Sequence, residues 1–129
     1  MEKINVVQLG ANAGDDHVSD FITKYKDQIN KALLVEPITE VADKARQFYK
    51  NRGDNMVVVH ATAVSTKDGT ADLTYIPGSN LRLSSLLPNV HTDFMNPLVT
   101  TQKVHTLTFD SLFAKHDLNK VDVLFVDVE

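Results

Sequence analysis

Short apolar runs alternate with amphipathic stretches along this chain. Residues 4–9, INVVQL, are apolar apart from Asn5 and Gln8 and stop at Gly10, as a buried strand does. Val18, Phe21, Ile22 and Tyr25 then recur at i, i+3, i+4 and i+7, one face of a helix. Asp15 and Asp16 supply its N-cap and first-turn acids. Ala32, Leu33, Leu34 and Val35 read as a second buried strand, ending at Glu36 and Pro37. Val41, Ala42, Ala45, Phe48 and Tyr49 mark a second amphipathic helix, closed by Arg52 and Gly53. Residues 56–59 read as a third strand that runs on toward Ala63.

The pattern then changes. Val64-Ser65 and residues 71–76 flank Thr66-Lys67-Asp68-Gly69, and an Asp-Gly pair between alternating residues predicts a β-hairpin. Residues 77–102 hold three prolines and several Ser and Asn, too long a stretch for an ordinary connection, so it reads as a functional or disordered loop. Residues 103–107 fit a strand. Residues 110–116 fit a short helix with Leu112 and Phe113 inward, and residues 121–128 a very apolar strand broken by Asp122 and Asp127. Strands alternating with helices predict βαβ units with right-handed crossovers. The expected fold is α/β, a Rossmann-like, doubly wound, mostly parallel sheet in which the first three strands are neighbours.

Composition narrows the options. At 129 residues the chain is one domain, 1–129, and its net charge of -4, with no run of more than two Lys or Arg, lacks the basic stripe of a nucleic-acid binder. There is no cysteine, so disulfides and thiolate metal sites are excluded. No apolar run approaches the ~20 residues that span a bilayer, so no membrane partner is expected. Met1-Glu2-Lys3 leads straight into a strand without a signal-peptide pattern, and a cytoplasmic location is expected. His17, His60, His91, His105 and His116 are scattered without metal-ligand spacing, so no metal is expected.

Ligands of open parallel sheets sit beyond the carboxyl ends of the strands. Gly10 to Asp16, Glu36-Pro37, His60 to Ala63 and Asp127 to Glu129 all fall there. In GANAG, Gly10 and Gly14 let the backbone pass close to a ligand, but the spacing G-x-x-x-G departs from the dinucleotide fingerprint, with Asn12 where its second glycine stands. Asp15 and Asp16 at the helix start oppose a pyrophosphate. At ~5 Å one such repulsion is about 3 kcal/mol at an effective dielectric of 20. Glu36, 26 residues after Gly10, stands near the spacing of a ribose-binding acid. The constellation asks for a nucleoside with a ribose diol, no phosphate and preferably a cation. S-adenosylmethionine satisfies all three. Each feature alone has a plainer reading: a glycine turn, a helix cap, a solvated strand end.

Six pieces in order, VVQLGANAGDD, LLVEP, HATAVSTKDGTADL, LRLSSLL, VHTLTFDSL and VDVLFVDVE, resemble the FkbM-type S-adenosylmethionine-dependent methyltransferases over nearly the whole chain. The resemblance implies the class I methyltransferase fold and methylation of hydroxyl oxygens, here on a small molecule or a glycan. It implies that Gly10, Asn12 and Gly14, with Gln8 and Asp15 beside them, hold the methionine end of the cofactor. Glu36, with Pro37, is implied to take the ribose, and Thr62 and Ala63 to pack by the adenine. Asp127 and Glu129 are implied to stand beside the transferred methyl, where either can orient the acceptor or act as general base. The plainer role for Asp127 is to bind the cofactor's amino group or cap a helix. Ser84 and Ser85 match a serine segment of the long loop, and Arg82 there is a weaker candidate for an anionic acceptor.

Gln8 stands where the family more often has an acid, and Phe125 where many members have a lysine. The family's motif continues past DVE into a further helix and strands, so the C-terminal strands are expected to be missing and the last strand to lie bare at an edge. A homodimer through that edge is the expected assembly. The rival readings are a nicotinamide-dependent oxidoreductase, which shares the strand-glycine-helix opening, and a non-catalytic, truncated Rossmann-like fragment.

Overall fold

The computed structural model describes residues 3–11, 14, 16–75 and 100–126. Four parallel strands form the main sheet: β1 (Ile4–Leu9), β2 (Ile29–Val35), β3 (Val57–His60) and β7 (Val123–Val126). Their order is β3-β2-β1-β7. Three helices cover the sheet: α1 (His17–Tyr25), α2 (Thr39–Arg52) and α3 (Phe109–Lys115). A single 3-10 turn, Lys26–Gln28, follows α1 directly. The mainly parallel α/β architecture expected from the alternation is therefore the observed one, with the first three strands adjacent.

Strand alternation sends residues to two cores. Val6, Ala32, Leu34 and Val59 pack beneath Val18 and Ile22 of α1 and Ala42, Ala45 and Tyr49 of α2. Val7, Leu9, Leu33 and Val35 face the other way, onto Leu112 of α3 and Leu118. Each helix starts and stops on local chemistry. Asp16 caps α1: its Oδ1 accepts from the N–H groups of Val18 and Ser19, and the Ser19 hydroxyl completes the capping box. Gly53, at φ 75°, ends α2 in the left-handed conformation that a Cβ disfavours. Thr108 caps α3 through Ser111 N–H. Asp68 reinforces that cap, accepting from Thr108 N–H at 2.8 Å and from the Ser111 hydroxyl at 2.6 Å.

A second sheet was not foreseen. It holds β4 (Ala63–Val64), β5 (Gly69–Tyr75) and β6 (Thr100–Leu107), in the order β4-β6-β5. The predicted hairpin is thereby corrected. The strands around Asp68-Gly69 do not pair with each other, because β6 inserts between them, parallel to β4 and antiparallel to β5. Asp68 works as a cap for α3 rather than as the corner of a two-residue turn. β6 also begins at Thr100, within the stretch read as loop. Residues 76–99 lie outside the described residues.

Among the described residues β3 and β7 are the edges of the main sheet. The register of β7 sets Leu124 beside Val7 and Val126 beside Leu9. Both belong to the face that α3 covers elsewhere, but here they are 48% and 60% exposed. Among the described residues no helix is long and apolar enough to cross a membrane.

Candidate functional site

The carboxyl ends of β1 and β2 meet at the glycine turn. Gly10 and Gly14 have φ of 83° and 97°, values that a side chain strains. The N–H groups of Gly10 and Ala11 both donate to Val35 O, at 2.9 and 3.0 Å, which binds the turn to the end of β2. Gly14 has a packing reason to lack a side chain: a Cβ there would stand 3.0 Å from Phe48 Cδ2 and 3.1 Å from Tyr49 Cε2. The Tyr49 hydroxyl donates to Gly14 O at 3.3 Å. The turn is thus held against α2 as well as β2. Asn12, Ala13 and Asp15 lie outside the described residues.

Gln8 is the unusual group. Its side chain is fully buried between β1 and the start of α1. Nε2 donates to Asp16 Oδ2 at 2.9 Å, whereas Oε1 is buried with no hydrogen-bond partner among the described residues. An orphaned acceptor of this kind costs about 1–3 kcal/mol. Asp16 is fully engaged: Oδ1 receives the first N–H groups of α1 and Oδ2 receives Gln8. The donors that a phosphate would use at this helix start already face a carboxylate.

Glu36, 3% exposed, ends β2. Its Oε2 accepts from Ile38 N–H at 3.0 Å, and its own N–H donates to His60 O at 3.1 Å. A buried carboxylate thus stands one strand away from Gln8, at the same end of the sheet. Pro37 follows, half-buried. Thr62 is fully buried, and its hydroxyl donates to His105 O at 3.1 Å, tying the exit of β3 to the second sheet. Ala63 packs in the small core of Ile38, Leu73 and Val104. Phe125 of β7 stacks edge-on against His17 and Phe21, with centroids 5.7 and 5.3 Å apart. Gln8, Gly10, Gly14 and Glu36 therefore gather at one end of the sheet. Thr62 and Ala63 belong to the junction with the second sheet. Asp127, Glu129, Arg82, Ser84 and Ser85 lie outside the described residues.

Two charged features escaped the sequence reading. Asp54, its side chain 3% exposed, lies 3.2 Å from Lys26 Nζ and 2.9 Å from Arg52 Nε, an ion cluster closing the end of α2. His60 Nδ1 stands 2.8 Å from His116 Nε2, joining the end of β3 to the end of α3. Both imidazoles titrate below their ordinary value of 6.5. Burial is the main cause for each. The neighbouring His116 adds to it for His60, and Lys31 for His116. These partners are 56 residues apart, so no local spacing announced them. Among the described residues no group of three or more His, Cys, Asp or Glu is arranged to hold a metal ion.

Against known proteins, the family model for the methyltransferase FkbM domain matches residues 8–129. No curated protein and no solved structure matches the chain significantly. The family match runs from the buried glutamine of β1 through the glycine turn, the acid closing β2 and the strand at the sheet edge. The chain belongs to the FkbM methyltransferase domain family.

Proposed function

We propose that the chain binds S-adenosylmethionine over the carboxyl ends of β1 and β2 and methylates a hydroxyl oxygen of a small molecule or sugar. The observation that carries this reading is the buried, unpartnered Gln8 Oε1 beside the start of α1. A ligand ammonium is the group that suits it: a donor with positive charge, next to the Asp16 carboxylate. The buried Glu36 carboxylate suits a ribose diol. Gly10 and Gly14 keep the turn low enough for a ligand to pass over it. Bound at this site, the sulfonium would supply an electrophilic methyl group, and the chain's part is to position and to shield. Asp127 or Glu129 is the proposed general base or orienting group for the acceptor hydroxyl, a role that rests on the family motif.

The occupied donors at the start of α1 favour this ligand over a nicotinamide dinucleotide, whose pyrophosphate would meet Asp16. Titration calorimetry decides between them. S-adenosylmethionine and its demethylated product are expected to bind with 1:1 stoichiometry, and NAD to give no heat. Binding of NAD without binding of S-adenosylmethionine would overturn the reading. On the same footing we propose a cytoplasmic enzyme that needs neither nucleic acid nor membrane, and self-association through the β7 edge.

A further inference from the structure

A separate cleft of 440 Å³ opens between the end of β3, β6 and the C-terminal end of α3. Its walls include His60, Thr62, Gly69, His105, Thr106 and Lys115. The volume falls within the range of about 300–1,000 Å³ typical of small-molecule sites. Gly10, Gly14 and Glu36 do not line it, and of the residues implied for the nucleoside only Thr62 borders it among the described residues.

The sign of its charge is one-sided. His60 and His105 face it from β3 and β6, and Lys115 from α3. Behind them stand His116, 2.8 Å from His60, and Lys31 of β2, whose Nζ donates to His116 O at 2.6 Å. Arg46 of α2 also acts on His60 and donates through Nε to Val59 O. The opposing carboxylate is Asp117, which acts on His116. Asp68 is turned away, onto the cap of α3. Among the described residues no carboxylate lines the cleft. The hydroxyls of Thr62 and Thr106 are spent on backbone oxygens of His105 and Lys67, so the cleft's available donors are cationic or become so on protonation.

A metal ion is opposed by the same charges. An anion is attracted by all of them, and it resolves the histidine pair. At neutral pH two neutral rings share one proton across 2.8 Å. When both are protonated neither can accept from the other, so the rings part and an anion oxygen that enters beside them takes both donors. A phosphomonoester dianion has the charge and the acceptor oxygens for this, and the volume leaves room for the organic group attached to it.

We propose that this cleft binds a small phosphorylated molecule between the His60–His116 pair, His105 and Lys115. Binding takes up protons. The ligand's own second pKa lies near about 6; above it, affinity rises as pH falls, by up to about tenfold per pH unit for each net proton taken up. By the same linkage the ligand raises the titration points of both imidazoles.

Calorimetry with glycerol 3-phosphate and with inorganic phosphate, in chloride buffer of fixed ionic strength at pH 6.5 and 7.5, tests this. NMR of the histidine ring signals reads the second consequence. Saturable binding that tightens at least threefold from pH 7.5 to 6.5, with both ring titrations moving upward, is expected. Lys115→Ala, an exposed position, is expected to weaken binding at least fivefold, and His60→Asn to flatten its pH dependence. An ester that binds more tightly than phosphate identifies an organic phosphate. Equal binding identifies the free anion as the ligand. Absence of saturable heat and of ring shifts with both probes at millimolar concentration would overturn the proposal. So would binding indifferent to both pH and Lys115→Ala. If His60→Asn does not fold, Lys115→Ala and the ring titrations decide alone.

Discussion

Gln8 Oε1 is a buried acceptor without a donor among the described residues, next to an otherwise complete capping box. Gln8→Leu removes the orphan but also takes a donor from Asp16, so the two effects oppose. The stability of the free protein is expected to change by less than about 1 kcal/mol in urea titration. Affinity for S-adenosylmethionine is expected to fall at least tenfold by calorimetry if the proposed ammonium contact to this oxygen is made. Gly14 answers to packing. Gly14→Ala combines φ of 97° with a Cβ 3.0 Å from the Phe48 ring, so urea titration should show a loss of about 1–3 kcal/mol. At this scale the sequence told much about Gly10, Gly14 and Glu36, because strand ends and glycines signal themselves locally. It could not tell that Gly14 also makes room for Phe48 and Tyr49, which lie more than 30 residues on and arrive only through packing.

Between elements, the His60–His116 contact is a joint from β3 to α3. Both rings hold their protons more weakly in the folded protein than in the unfolded chain, whose ordinary value is 6.5. The folded state therefore binds fewer protons, and stability is lost as pH falls from about 6.5 through the folded values. Thermal melts in chloride buffer are expected to give a lower Tm at pH 5.5 than at pH 7.5, and His116→Asn to reduce that difference. Elements with strong periodicity were legible. The faces of α1 and α2 and the run of β2 lie where apolar spacing put them. The order β4-β6-β5 was not, because an Asp-Gly pair reads locally as a turn whereas the partner strand enters from beyond residue 99. Asp68 shows why: its carboxylate satisfies the α3 cap, more than 40 residues away, instead of shaping a hairpin.

At the scale of the whole molecule, the outer side of β7 is open to strand pairing among the described residues. Leu124 and Val126 present apolar side chains beside an open row of backbone groups. Self-association that grows with concentration is the expected behaviour in sedimentation. Val126→Lys is expected to suppress it while leaving the melt of the monomer nearly unchanged, since that side chain is already 60% exposed. Binding of S-adenosylmethionine should survive the same substitution.

The pairing of β1 with β7 also constrains how the protein is made. Asn5 and Asp122, hydrogen-bonded neighbours here, are separated by 117 residues. At ribosomal speeds of about 5–20 residues per second, one flank of the opening strand waits roughly 6–23 s for its mate to be translated. Through that interval the nascent chain carries an unsatisfied hydrophobic ribbon, a natural substrate for chaperones that hold emerging polypeptides.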